Sequence, residues 1–156
     1  AELFPAPMHM SMPIKATDKK LYFNFPLTEN IWVYSPRTDE LSKFDIDLRL
    51  AEGTDKTTLQ DLRGIIKILD RMEVAMRFFL TEEYVVLVTR EGRPPDNIWR
   101  SRFYTYSGVG VGIFETSSQV VNVSKDTISV LKVATDDPDS EYPYRIDNIS
   151  YSILKK

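Results

Sequence analysis

The residues with the clearest chemical potential are arginines interleaved with aromatic residues between positions 90 and 106. The arginines are Arg90, Arg93, Arg100 and Arg102, and the aromatic residues are Trp99, Phe103, Tyr104 and Tyr106. Guanidinium groups bind phosphate or carboxylate through paired hydrogen bonds, and aromatic faces stack on bases or sugars. Tryptophan, tyrosine and arginine are also the usual anchors of protein–protein interfaces. This segment is therefore the first candidate for a binding surface.

A regular strand over Ile98 to Tyr106 would place the arginines and the tyrosines on one face, and Trp99 and Phe103 on the other. One interpretation is that the Arg/Tyr face contacts a protein partner, or single-stranded nucleic acid. The other is a structural strand in which arginine stems cover outer apolar surface. The candidate partner-binding residues are Arg93, Trp99, Arg100, Arg102, Tyr104 and Tyr106.

Residues for metal or nucleophilic chemistry are scarce. Cysteine is absent and His9 is the only histidine, which excludes disulfides and thiolate catalysis and argues against a zinc site. Four acidic residues between 136 and 141 could bind Ca²⁺, but Pro138 interrupts them and the spacing is not that of an EF-hand, which favours a solvated loop. The sequence predicts no catalytic residue, no metal site and no cofactor.

Two further patterns have structural explanations. Gly108, Gly110 and Gly112 alternate along a strand, whereas a dinucleotide-binding loop needs glycines between a strand and a helix. They favour close packing, with a ligand groove as the alternative. Asp45 and Asp47 share a strand face, as some glycosidase carboxylates do, but Arg49 continues that face and favours plain solvation. A carboxylate-based hydrolase stays as an alternative function.

Composition indicates one soluble domain. The 156 residues are 42% hydrophobic and 28% charged, which is ordinary for a globular protein with its own core. The net charge of −3 argues against a general polyanion binder, and no apolar run approaches the length of a membrane span. Residues 1–13 are predicted to be a flexible arm and residues 14–156 a single β-rich domain, while the compartment is not indicated.

The apolar pattern changes period near Met72. Leu59, Leu62, Ile66 and Leu69 have helical spacing, whereas alternation begins at Met72, which predicts a helix over about 57–70 followed by a hairpin. The alternative is an α+β fold with one helix over 58–80. Together with the other segments rich in β-branched and aromatic residues, the pattern predicts a mainly β fold of about ten antiparallel strands in meanders.

Three segments repeat the order charged turn, strand, loop, strand. They begin at Asp18, Glu82 and Lys125, and each contains an Asn-Ile pair, at positions 30, 97 and 148. This layout resembles the blades of β-propeller proteins, which repeat meanders of about 40–50 residues. The resemblance implies part of a propeller, or a chain that pairs with other copies; a single sheet, sandwich or open barrel also explains the strands.

We therefore expect a non-catalytic binding or assembly module, with a protein partner or another copy of itself on the Arg/aromatic surface. Nucleic acid is the less favoured partner because of the acidic net charge.

Overall fold

The structure, a computed structural model, describes residues 13–24, 28–46, 73–92, 96–133 and 143–152. These residues form eleven strands, and every strand pairing is antiparallel. The strands are β1 (Ile14–Ala16), β2 (Leu21–Phe23), β3 (Asn30–Ser35), β4 (Glu40–Asp45), β5 (Glu73–Leu80), β6 (Tyr84–Glu91), β7 (Ile98–Thr105), β8 (Gly110–Thr116), β9 (Gln119–Val123), β10 (Thr127–Val133) and β11 (Tyr144–Ser150). The prediction of a mainly β protein is confirmed.

The strands form three separate sheets, each of which is a meander in chain order. The first sheet contains β1 to β4, the second contains β5 to β8, and the third contains β9 to β11. Short hairpin turns connect most neighbouring strands, which is why antiparallel pairing prevails.

The strand predicted to begin near Met72 is confirmed, because β5 begins at Glu73. The alternative helix over 58–80 is wrong for residues 73–80. Met76 and Leu80 have helical spacing, but pairing with the apolar strand β6 makes this segment a strand. A bulge between Ala75 and Arg77 shifts the register, so Met76 packs on the core shared with the third sheet and Leu80 on the core shared with the first. The helix predicted over 57–70 lies outside the described residues, as do His9 and the acidic loop 136–141. Residues 1–12 of the predicted arm also lie outside the described residues. Pro13 is buried, and its carbonyl accepts a hydrogen bond from the backbone N–H of Asn24.

The first hairpin of each sheet turns in the same way. Thr17, Thr81 and Ser124 each end a first strand, and the backbone N–H of each donates to the carbonyl three residues later, at 2.8 to 2.9 Å. In all three turns the side-chain hydroxyl also bonds to the backbone within the turn. The three charged turns noted in the sequence therefore occupy one structural position in three successive sheets.

The second sheet lies between the other two, and both of its faces are covered. Val85 and Leu87 of β6 pack into the core shared with the first sheet, while Val86 and Val88 pack into the core shared with the third. All four side chains are fully buried, and each contributes about 1.5–3 kcal/mol by leaving water. A strand with two covered faces needs a continuous apolar run, as β6 has, rather than alternation.

The first strands of the first and third sheets lie close to the second sheet. Strand β1 lies against β5, and β9 lies against both β5 and β7. The two apolar cores fill the spaces between the sheets.

Candidate functional site

The structure divides the residues of β7 between two faces, as the alternation predicts. Arg100, Arg102 and Tyr104 point towards the first sheet, whereas Trp99 and Phe103 point towards the third. Tyr106 lies just beyond the strand, and Arg93 lies outside the described residues.

These side chains are far less accessible than a partner-binding surface requires. Trp99, Arg100, Arg102 and Tyr104 are between 3% and 7% exposed, and only Tyr106, at 36%, offers appreciable area to solvent. The interpretation in which arginine stems cover an outer surface is wrong, because neighbouring sheets cover both faces of β7. Arg100 and Arg102 instead interact inside the chain.

Arg102 forms a two-point ion pair with Glu73, the first residue of β5. Its Nε lies 2.7 Å from Oε1 and its Nη2 lies 2.6 Å from Oε2 of the carboxylate. Glu73 is fully buried, and the hydroxyl of Thr89 on β6 also donates to Oε1. Paired, charge-assisted hydrogen bonds of this kind are the strongest that side chains make.

Arg100 lies beside this pair and connects it to two further carboxylates. Its Nε lies 2.6 Å from Oε1 of Glu115 and its Nη1 lies 2.5 Å from Oε2 of Glu91, with Glu73 at 3.8 Å. We call Glu73, Thr89, Glu91, Arg100, Arg102 and Glu115 the arginine cluster. It contains residues of all four strands of the second sheet and lies on the face towards the first sheet.

The carboxylates keep both buried arginines charged. Burial by itself lowers the pKa of Arg102, but the hydrogen bonds and negative charge of Glu73 outweigh it, so the pKa is raised above its ordinary value. Burial also opposes the charge on Arg100, but its hydrogen bonds to the carboxylates of Glu115 and Glu91 raise its pKa overall. Two permanent cations are thus compensated within the sheet, and neither guanidinium is free to bind phosphate.

The arginine cluster does not have the geometry of a hydrolase site. The buried carboxylate of Glu73 is neutralised by arginine rather than enclosed by apolar walls, as a catalytic acid would be. Asp45 is exposed, and Asp47 lies outside the described residues. Within the described ranges, no three histidine, cysteine or acidic side chains come together as a metal site.

Tyr106 contacts Tyr22 of the first sheet, with ring centroids 6.0 Å apart in an edge-to-face arrangement. Its hydroxyl donates to the carbonyl of Thr81 at 2.6 Å. Tyr106 is thereby attached to both sheets, which gives the most exposed of the candidate residues a structural role.

Burial, and secondarily Tyr106, raises the pKa of the Tyr22 hydroxyl above its ordinary value of 10.0. Because the folded state resists ionisation, Tyr22 contributes stability that is complete below about pH 10 and is lost as the pH rises through the folded pKa. We expect Tyr22→Phe to flatten the alkaline decline of the unfolding midpoint while leaving it nearly unchanged at pH 7. Thermal unfolding monitored between pH 7 and pH 11 measures this, and an unchanged alkaline slope would argue against the assignment.

The outer face of the third sheet is apolar and open. Val133, Tyr144 and Ile146 are each more than 60% exposed, and they are neighbours across the β10–β11 pair with Leu131 beside them. These residues point away from the second sheet, because Ile128 and Val130 of the same strand point towards it. We call Leu131, Val133, Tyr144 and Ile146 the end face. Sequence alternation places these four side chains on one face, but it does not indicate whether another part of the protein covers that face.

Comparison with known proteins adds no identification. No protein-family model matches the chain, and no curated protein matches it at a significant level. Within the described residues, no helix is long and apolar enough to cross a membrane.

Proposed function

We propose that the chain is a non-catalytic assembly module that associates with further copies of itself through the end face. The observation that carries this proposal is the contrast between the faces of the sheets. Both faces of the second sheet are covered by a neighbouring sheet, whereas the end face exposes three large apolar side chains. Contiguous apolar surface of this kind marks interaction sites.

The stacking within the chain indicates the kind of partner that fits. Within the chain, the far face of each sheet packs against the near face of the sheet that follows it. The end face is the far face of the third sheet, and no further sheet of the described chain follows it. The near face of the first sheet is the surface that would match it in another copy, and there Ile14 and Leu41 are 51% and 57% exposed.

A second copy is therefore expected to place its first sheet on the third sheet of its neighbour. Such head-to-tail contacts are heterologous, so they close into a ring or extend into an open array. A ring is the form that the propeller-like layout of the sequence favours. The proposal keeps the assembly role expected from the sequence but moves the contact from the Arg/aromatic strand to the two outer sheets.

Ile146→Asp tests the proposal. It places a charge in the centre of the end face without touching the inner cores, so the monomer should fold normally. We expect self-association to weaken about 100-fold or more, because an unpaired carboxylate would have to be buried in the contact. Light scattering coupled to size-exclusion chromatography over a range of protein concentrations measures the change.

Val109→Asp is the matched control, because Val109 is as exposed as Ile146, at 60% against 61%, but belongs to the β7–β8 turn. It should leave association unchanged. Leu41→Asp tests the opposite face. In a head-to-tail assembly, Ile146→Asp and Leu41→Asp chains should each be monomeric alone but form a one-to-one dimer when mixed. A wild-type protein that stays monomeric at high concentration would overturn the proposal.

A further inference from the structure

An open cleft of about 550 Å³ lies between the second and third sheets. Arg90, Asn97 and Trp99 of the second sheet form one wall, and Lys132 belongs to the wall from the third sheet. Ser117 and Ser118, in the segment that connects the two sheets, also line it. The volume is within the usual range of small-molecule sites, about 300–1,000 Å³.

The charge of the lining is one-sided. Among the described residues that line the cleft, Arg90 and Lys132 are cationic and none is an aspartate or glutamate. Lys132 has one carboxylate partner, Asp147, at 3.2 Å on the neighbouring strand. The cleft therefore presents two cations to a single site.

Arg90 is the unusual member of this lining. Its Nε is buried and has no hydrogen-bond partner, and no ion pair links Arg90 to another described residue. Buried guanidinium nitrogens are nearly always paired, because a buried donor without an acceptor loses its hydrogen bonds to water and gains none in return. Arg90 and Trp99 are also direct cross-strand neighbours, so the cation lies next to an aromatic side chain.

The two arginines between the first and second sheets provide a comparison, because both are paired with carboxylates. There, Arg100 and Arg102 are each held by at least one glutamate at 2.5 to 2.7 Å. Arg90 belongs to the same sheet but points to the opposite face, and it has no such carboxylate among the described residues. Arg90 is thus a cation of the second sheet whose charge no described residue compensates.

We propose that this cleft binds a small organic anion, a sugar-sized ring or apolar body that carries one phosphate or carboxylate group. Arg90 anchors the anionic group, with Lys132 adding a second positive charge. Asn97 and the two serine hydroxyls supply neutral hydrogen bonds to the polar part of the body, and Trp99, which is 5% exposed, contributes only the edge of its ring to the lining. The proposal does not rest on the proposed assembly, although Leu131 and Val133 of the end face also line the cleft.

Indole NMR signals provide a direct test, because the chain has only two tryptophans, Trp32 and Trp99. Trp99 lies in the cleft and Trp32 is in the first sheet, so one signal reports binding and the other serves as an internal control. The probes are glucose 6-phosphate, glucuronate, inorganic phosphate and uncharged glucose. We expect the first two to shift the Trp99 signal saturably and to leave Trp32 unchanged. Glucose should not shift it, and phosphate alone should bind more weakly because it does not reach the edge of the Trp99 ring.

Two substitutions with opposite expected effects test the roles of the charges. Arg90→Gln should weaken glucose 6-phosphate binding about 10- to 100-fold, the usual loss for a charge-assisted hydrogen bond. Asp147→Asn should tighten it about two- to fivefold by releasing Lys132 from its surface ion pair. Arg77→Gln removes an exposed arginine from the same sheet and should change nothing.

If Arg90→Gln does not fold, Lys132→Gln replaces it, since Lys132 is partly exposed and its loss should also weaken binding. The proposal is overturned if neither charged sugar shifts the Trp99 signal selectively. It is also overturned if the affinity of a bound probe is the same in the Arg90→Gln or Lys132→Gln variant as in the wild-type protein.

Discussion

Glu73→Ala is expected to lower the free energy of unfolding by about 3–5 kcal/mol, the usual cost of removing one partner of a buried ion pair. The reason is the charge left behind. Arg102 is 5% exposed and keeps its proton, so without Glu73 a guanidinium would be buried with no carboxylate at hydrogen-bond distance. The Thr89 hydroxyl would lose its acceptor as well. A loss of this size is a large part of the stability of an ordinary domain.

Urea denaturation followed by circular dichroism measures the effect. Glu82→Ala is a matched control, because Glu82 pairs with Lys125 at the surface, where both side chains are mostly exposed; it should leave the unfolding curve nearly unchanged. The double variant Glu73→Leu with Arg102→Met removes both charges and should recover much of the stability. If Glu73→Ala is as mild as Glu82→Ala, the arginine cluster does not hold the second sheet together.

Gly108→Ala is expected to cost about 2–4 kcal/mol, from backbone strain and overpacking together. Gly108 has a φ of +90°, where residues with a side chain are strained. A Cβ at this position would also lie 2.6 Å from Cβ and 2.7 Å from Cγ of Phe44. Phe44 packs on the core between the first and second sheets and contacts the ring of Tyr104 at 5.6 Å, so it can move only by disturbing that core.

Gly112→Ala provides the control within the same strand region. Gly112 lies in β8, and a Cβ there would meet no atom within 4 Å, so alanine should be neutral or slightly stabilising. Thermal unfolding of the two variants therefore separates a required glycine from a replaceable one. Equal midpoints for both would show that the turn after β7 adapts to a side chain, contrary to the packing described here.

The three glycines show which features the sequence pattern predicted and which it did not. Alternation of Gly108, Gly110 and Gly112 correctly excluded a dinucleotide loop and favoured close packing. It did not distinguish the three, because the need for glycine depends on backbone angle and on a neighbour, Phe44, that is 64 residues away in the chain. Neither quantity is encoded in local spacing.

The repeat pattern was informative in one part and misleading in another. The charged turns after Thr17, Thr81 and Ser124 do share one position, since a Ser/Thr hydroxyl stabilises such a turn by local hydrogen bonds. The Asn-Ile pairs do not, because Asn30-Ile31 and Asn97-Ile98 stand at the start of a third strand and Asn148-Ile149 at the end of one. The three sheets therefore share the position of these turns and not that of the Asn-Ile pairs.

The sequence by itself determined the described elements, namely mostly short strands, tight turns and the strand that begins near Met72, because these depend on local periodicity and turn chemistry. It also determined that Arg100, Arg102 and Tyr104 share a face, because side chains alternate along any strand. Only the tertiary structure decided what covers each face. Alternation separates two sides without indicating which is solvated, and the stacking of the sheets buried both sides of β7, paired its arginines with Glu73, Glu91 and Glu115, and left the apolar end face open.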